Sequence, residues 1–197
     1  MSQEDQQIRI GLTGGIGSGK TFVAKIFRRF SLPVFNADVE AKKCMVEDES
    51  LKQEIQNVFG SKVYIAGLLQ TKKLADIVFN DSENLEKLNR LVHPVVRQSF
   101  EDWCRKQKSR IIIKEAAILF ESDSHLDLDK VICVSAPEEI RIKRVVRRDK
   151  ISKENVISII QKQMPQVEKQ KASDFVIVND GVQLIIPQII SVFNQIS

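Results

Sequence analysis

A glycine-rich segment near the start of the chain has the residue types and spacing of a phosphate-binding loop. It reads Gly14-Gly15-Ile16-Gly17-Ser18-Gly19-Lys20-Thr21 and fits G-x-x-x-x-G-K-[ST]. Glycines let backbone N–H groups curl around a polyphosphate without Cβ clashes. Lys20 would place a cation on the β- and γ-phosphate oxygens, and Thr21 would offer a hydroxyl to the accompanying Mg²⁺. The segment predicts that the chain binds a nucleoside triphosphate, with ATP as the default.

The residues on either side of this loop supply the elements that it requires. Residues 8–12 predict a buried strand, and residues 22–30 predict a helix whose positive dipole end faces the phosphates. We therefore assign nucleotide binding to Gly14, Gly15, Ile16, Gly17, Ser18, Gly19, Lys20, Thr21 and Phe22. Among these, Thr21 is the predicted metal ligand and Lys20 is also a predicted catalytic residue.

Asp38 comes directly after a short second strand, predicted at residues 34–36. In open parallel sheets, ligands collect at the carboxyl ends of the strands. The sequence leaves two interpretations of this carboxylate open. It could cap a helix, or it could accept the proton of an acceptor hydroxyl or hold magnesium through water.

Glu115 is the carboxylate nearest to the end of a third buried strand. That strand starts at residues 110–113 and is predicted to continue towards Glu121. No Asp follows the apolar run, so the usual Walker-B carboxylate is missing. Glu115 is its nearest substitute, and an edge-facing structural role is an equal alternative.

A basic helix follows the fourth strand, which is predicted at residues 130–134. Its cations are Arg141, Lys143, Arg144, Arg147 and Arg148. Positions 141, 144 and 148 line one face, while apolar residues form the other. The cluster is either a solvated basic face or a site that a polyanion neutralises, and an arginine there could stabilise phosphoryl transfer.

Residues 39–108 predict a helical insertion that is longer than a crossover requires. Its apolar stripes are most simply core, and an insertion of this size usually covers a substrate pocket. Pro94 is predicted to interrupt one stripe, with a further helix after it. The neighbouring His93 is either a structural hydrogen-bonding residue or a ligand contact.

Strands that alternate with helices predict the fold class. We expect an α/β protein, a three-layer α/β/α sandwich with a five-stranded parallel sheet of the P-loop nucleotide-kinase type, with a helical substrate-binding insertion and a lid. The predicted single domain has a core at residues 8–38, 109–146 and 168–197, an acceptor-binding insertion at 39–108 and a lid at about 147–167.

Composition is that of an ordinary globular protein of 197 residues, with 43% hydrophobic and 28% charged residues and a net charge of +4. Three scattered cysteines without a C-x-x-C pair predict reduced thiols. The polar start, residues 1–7, lacks the apolar core of a signal peptide, and no apolar run approaches a membrane span. We therefore expect a cytoplasmic protein with no membrane partner. The oligomeric state stays open, with a monomer favoured.

The chain resembles the dephospho-coenzyme A kinase family. The segments that match the family pattern are the loop at residues 12–21, Ala37-Asp38, Leu91-Val92-His93-Pro94, Leu119-Phe120-Glu121, Lys143-Arg144, Arg148-Asp149, residues 173–177 and Asn179. They cover nearly the whole chain in the family's order. Two positions depart from the family pattern: Asn36 stands where it usually has Asp, and Ala117 stands where it often has Pro.

The resemblance implies transfer of the ATP γ-phosphate to the ribose 3′-hydroxyl of dephospho-CoA, the last step of coenzyme A synthesis. By that similarity Asp38 would bind or activate the acceptor hydroxyl, and Arg144 would bridge phosphates at the transition state. The helices around His93 would bind the acceptor. The first carboxylate of the family pattern is lost at Asn36, together with any role in binding magnesium.

Two other functions compete with this one. A kinase for another small acceptor, such as a nucleoside monophosphate, would share the phosphate loop. A nucleotide-switched binding protein could contact nucleic acid through the basic helix, but that helix lacks interleaved aromatic residues, so we expect no nucleic-acid partner. A regulatory GTPase would show Asn-Lys-x-Asp, which is absent from the sequence.

Overall fold

The folded elements follow the alternation of apolar runs and helical stripes along the chain. The structure is a computed structural model that describes residues 7–79 and 81–196. The expectation that the chain has no signal peptide rests on residues 1–7. Of these, the structure describes only Gln7. The strands are β1 (Ile8–Thr13), β2 (Val34–Asn36), β3 (Tyr64–Ile65), β4 (Leu68–Leu69), β5 (Ile111–Glu115), β6 (Lys130–Ser135) and β7 (Phe175–Val178). The helices are α1 (Lys20–Arg29), α2 (Ala37–Glu47), α3 (Glu49–Phe59), α4 (Thr71–Phe79), α5 (Ser82–Arg105), α6 (Glu138–Asp149), α7 (Lys153–Gln161), α8 (Gln166–Lys171) and α9 (Ile185–Ile196), with a 3₁₀ turn at Ser61–Val63.

Five of the strands form the predicted parallel sheet, in the order β2-β5-β1-β6-β7. Strand β1 is central, and its register with β5 runs from Ile8 opposite Ile111 to Leu12 opposite Glu115. The glycine-rich loop follows the carboxyl end of β1, so it lies at the centre of the edge formed by the carboxyl ends of the strands. Glu115 ends the neighbouring strand at the same edge. The expectation that this strand continues towards Glu121 is wrong, since residues 116–121 form a turn.

Side-chain alternation along the strands places helices on both faces of the sheet. Ile132 and Val134 face a fully buried core beneath α1 and α9, where Phe27 meets Phe193 edge to face at 5.5 Å. The intervening Cys133 and Ser135 face the opposite way and contact the glutamines of α8. The predicted three-layer α/β/α sandwich is confirmed.

Residues 36–106 form a compact unit of their own, while the rest of the chain forms the other. In this unit α5 contacts α2, α3 and α4. Strands β3 and β4 form a small antiparallel hairpin, which comes between α3 and α4 along the chain. The expected break at Pro94 is wrong, because α5 runs through it without interruption. Pro94 is exposed, whereas Val92, Val96 and Phe100 are buried four residues apart. The continuous apolar face outweighs the backbone hydrogen bond that proline removes, which costs about 3 kcal/mol.

In the described part of the chain, each helix is too short or too polar to cross a bilayer.

Candidate functional site

The glycine-rich loop joins β1 to α1, and within it the N–H of Ser18 donates to the carbonyl oxygen of Gly15 at 3.1 Å. Gly17 has a φ of 79°, in the left-handed region, and a Cβ on it would lie 2.5 Å from the carbonyl oxygen of Arg141. Only glycine fits both constraints. Gly19, the N-cap of α1, makes no side-chain cap hydrogen bond, and the amino-terminal end of a helix favours anions.

The functional side chains at the start of α1 meet one carboxylate. Thr21 Oγ1 donates a hydrogen bond to Glu115 Oε1 at 2.8 Å, and Lys20 Nζ lies 3.3 Å from the same oxygen. Glu115 is fully buried, and the Lys20 side chain is 11% exposed. Glu115 therefore lies against the phosphate loop, where a substitute for the missing Walker-B carboxylate is expected. Its place at the end of β5, beside the central strand, brings it to the loop.

Two arginines of α6 turn towards the loop instead of facing solvent. Arg141 is buried, and its Nε donates to the carbonyl oxygen of Ile16 at 2.9 Å. Burial lowers the pKa of Arg141, while Glu138 acts against this change, and the guanidinium still carries its proton at neutral pH. Arg144 donates to the carbonyl oxygens of Gly17 and Ser18, both at 3.4 Å.

Asn179 completes this set of contacts from the end of β7. Its Nδ2 donates to the carbonyl oxygen of Ser18 at 2.8 Å, and its Oδ1 accepts from Arg144 at 3.3 Å. The outward-facing carbonyl groups of the loop are thus bound by side chains of α6 and β7. Arg148, the third arginine of the predicted face, instead pairs with Asp149 at 2.7 Å on the surface.

Gln163 and Gln166 are contacts that the sequence does not reveal. Gln163 Oε1 accepts from the N–H of Ile16 at 2.8 Å, and Gln166 Oε1 accepts from the N–H of Gly15 at 3.2 Å. Both lie in a polar stretch without periodicity, roughly 150 residues after the loop. Nothing in their types or spacing marks them as partners of the loop.

Among the described residues, two buried hydroxyl groups have no hydrogen-bond partner. They are Ser18 Oγ, inside the loop, and Thr13 Oγ1, directly before it. Buried polar atoms are almost always paired, so unpaired ones beside a glycine-rich loop fit a site that takes a polar ligand. Phe22, the last predicted nucleotide contact, lies on α1 with 56% of its surface exposed.

Asp38 and His93 both lie in the unit formed by residues 36–106. The helix-capping role that competed for Asp38 belongs to Asn36, whose Oδ1 accepts from the N–H of Val39 at 2.8 Å. Asp38 is half-buried in the first turn of α2, and His93 is half-buried in α5. Asn36, at the family's other carboxylate position, therefore serves as a cap.

The second departure from the family pattern, Ala117, lies in the turn after β5. Its carbonyl oxygen accepts from Lys169 Nζ at 2.7 Å. Lys169 is fully buried and also pairs with Glu121 at 2.8 Å. Lys169 therefore contacts this turn at two positions, Ala117 and Glu121.

Comparison with known proteins places this chain in one family. The family model described as dephospho-CoA kinase matches residues 8–184. A dephospho-CoA kinase from Bacteroides fragilis is 39% identical over 184 residues, which cover 93% of this chain and 90% of that protein. A solved structure of the Thermus thermophilus protein TT1252 matches with a TM-score of 0.87 and 32% identity, over 98% of this chain and 99% of that one. A dephospho-CoA kinase from Campylobacter jejuni matches with a TM-score of 0.68 and 27% identity, over 96% of each chain.

Proposed function

The chain belongs to the dephospho-CoA kinase family, and from this membership we propose how its residues divide the work of the reaction. The reaction is transfer of the γ-phosphate of ATP to the ribose 3′-hydroxyl of dephospho-CoA, which gives coenzyme A. The match of the family model over residues 8–184 carries this function. Neither competing function from the sequence is favoured by the comparisons.

The assay for the function is direct. Protein, ATP, Mg²⁺ and dephospho-CoA are incubated together, and CoA and ADP are measured. We expect equal amounts of both products and no comparable phosphorylation of nucleoside monophosphates. Brisk phosphorylation of another acceptor without CoA formation would overturn the assignment.

The loop and Lys20 form the proposed ATP phosphate site. What supports this role is the cation of Lys20 at the amino-terminal end of α1, where backbone N–H groups and the helix dipole both favour anions. The unpaired hydroxyl of Ser18 adds a further polar group inside the loop. Binding here would hold the γ-phosphate for in-line attack.

Thr21 and Glu115 are the proposed residues for magnesium. A hydroxyl and a carboxylate 2.8 Å apart are the oxygen ligands that Mg²⁺ prefers. Within residues 7–79 and 81–196 no cluster of three or more acidic, His or Cys side chains occurs, and Mg²⁺ needs none, because phosphates and water complete its shell. When bound with ATP, the ion would neutralise charge on the β- and γ-phosphates.

We expect Glu115→Gln to raise the Mg²⁺ concentration for half-maximal activity about tenfold, since it removes the carboxylate charge beside Thr21. ATP binding in EDTA should stay within about twofold of wild type, because the loop is intact. Mg²⁺ titrations of turnover and calorimetry of ATP binding check both. Glu139→Gln, at an exposed position of α6, is the matched control. An unchanged Mg²⁺ requirement would limit Glu115 to pairing with Lys20.

Arg144 is the proposed stabiliser of charge during phosphoryl transfer. A guanidinium carries five N–H donors, so its contacts with the loop and Asn179 leave capacity for a phosphate oxygen. We expect Arg144→Met to lower kcat about 10³-fold. Arg147→Met, exposed on the same helix, should leave kcat unchanged. Steady-state kinetics compare the two, and equal effects would remove Arg144 from the assignment.

The acceptor side rests on Asp38 and the unit that contains His93. We propose that Asp38 binds or activates the 3′-hydroxyl and that His93 contacts dephospho-CoA. Asn36, and not Asp38, is the residue that caps α2. The segment at residues 147–167 is the proposed lid.

We also propose that the protein works as a monomer in the cytoplasm. What supports a reducing compartment is that Cys44, Cys104 and Cys133 are buried cysteines outside any disulfide. Sedimentation at assay concentration tests the monomer.

A further inference from the structure

Ile16, at the tip of the phosphate loop, is held through its side chain and through both of its backbone polar groups. Its N–H donates to Gln163 Oε1 at 2.8 Å, and its carbonyl oxygen accepts from Arg141 Nε at 2.9 Å. Its side chain packs against the apolar cluster of Ile142, Val145 and Val156 between α6 and α7. The tip of the loop is thus fixed to α6 and to the segment that follows it.

Gln166 makes a second connection, one residue earlier in the loop. Its Oε1 accepts from the buried N–H of Gly15 at 3.2 Å. Its Nε2 lies 3.2 Å from Cys133 Sγ and 3.4 Å from the carbonyl oxygen of Val134. Burial raises the pKa of the Cys133 thiol to about 11, so this sulfur is a neutral partner. Gln166 therefore ties the loop to β6.

Both glutamines come from the short connection around Pro165, between α7 and α8. Gln163 ends the turn after α7, where its N–H donates to the carbonyl oxygen of Ile160 at 3.1 Å. Gln166 is the first residue of α8. Their backbone positions are set by these elements, so their amide oxygens meet the loop from a defined direction. A buried N–H without such an acceptor would cost about 1–3 kcal/mol.

We propose that Gln163 and Gln166 are positioning residues for ATP binding: they accept from the N–H groups of Gly15 and Ile16 and so hold the other N–H donors of the loop towards the polyphosphate. In this arrangement the end of the proposed lid, at Gln163, is part of the nucleotide site. The inference rests on the assignment of the loop as the ATP phosphate site. Tighter binding of ATP than of AMP by wild type tests that assignment separately.

The alternative is that the two amide oxygens stand where phosphate oxygens go. In that case the glutamines compete with ATP, and their removal would leave ATP affinity unchanged or improve it. The two roles thus predict opposite signs for the same variants.

The test compares Gln163→Met and Gln166→Met with Gln161→Met, which alters an exposed glutamine of α7. Calorimetry measures the Kd of ATP, ADP and AMP. For both loop-contacting glutamines we expect ATP and ADP to bind about tenfold more weakly, and AMP to bind within about twofold of wild type. The KM for dephospho-CoA should not change. Gln161→Met should match wild type throughout.

A conservative variant separates positioning from simple loss of packing. Gln166→Glu keeps an acceptor oxygen for Gly15, beside the Arg141 guanidinium that also lies near Gly15. We expect it to bind ATP within about threefold of wild type. Unchanged or tighter ATP binding by the Met variants would overturn the proposal, and so would equal weakening of ATP and AMP.

Discussion

Asp38→Asn is expected to lower kcat about 10³-fold while the Kd of ATP stays within about twofold of wild type. The amide keeps the size of the side chain but cannot accept a proton from the 3′-hydroxyl. ATP is proposed to bind at the loop through Lys20 and backbone N–H groups, and Asp38 is not among its proposed ligands, so ATP affinity should not depend on this charge. Single-turnover phosphorylation of dephospho-CoA measures the first effect, and calorimetry measures the second.

The matched control for this variant is Glu40→Gln. Glu40 lies on the same helix, α2, and pairs with Lys43 at 3.6 Å on the surface. The control removes the same charge two residues away, so it should retain wild-type turnover. An Asp38→Asn enzyme with wild-type kcat would remove Asp38 from the site. A loss of ATP affinity as large as the loss of kcat would place it on the nucleotide side.

Lys20→Ala is expected to lower both kcat and ATP affinity, by about 10²- to 10³-fold and at least about tenfold respectively. The ammonium group is the cation proposed to meet the β- and γ-phosphates, so ground state and transition state both lose it. Kinetics and calorimetry measure the two effects. Lys25→Ala, exposed on α1, is the control and should be neutral in both. Wild-type values for Lys20→Ala would exclude Lys20 from catalysis.

The same substitution has an expected effect on stability. Glu115 is fully buried and would lose the cation 3.3 Å away, and breaking a buried ion pair in this way costs about 3–5 kcal/mol. The double variant Lys20→Met/Glu115→Gln removes both charges. We expect it to regain most of the free energy of unfolding but none of the activity. Denaturant unfolding of the single and double variants separates the structural role of the pair from its role towards ATP.

The sheet and the loop could be predicted because their signals are local. Apolar runs, a glycine-rich loop between strand and helix, and the alternation of elements specify five parallel strands. The break at Pro94 was wrong for a physical reason. Proline removes one backbone hydrogen bond at its own position, whereas the buried stripe of Val92, Val96 and Phe100 stabilises the whole helix.

The candidate site was predicted only as far as its residues carry motifs. Lys20 and Thr21 belong to the loop motif, and of the basic residues of the predicted helix, Arg141 and Arg144 contact the loop. The role of Glu115 could not be decided from sequence, because its direction depends on the pairing of β5 with β1. Gln163 and Gln166 could not be found at all, since the sheet topology alone brings them to the loop.

The side chains that donate hydrogen bonds to the loop carbonyl groups have a consequence for the thermodynamics of nucleotide binding. Arg141, Arg144 and Asn179 bind the backbone carbonyl oxygens of residues 16–18. Ordering a residue's backbone costs about 1–2 kcal/mol of conformational entropy. Here that entropy is lost when the chain folds, so ATP should associate in one kinetic step, without a slow rearrangement of the loop. Heating that loosens these contacts would then weaken ATP affinity before the sheet melts.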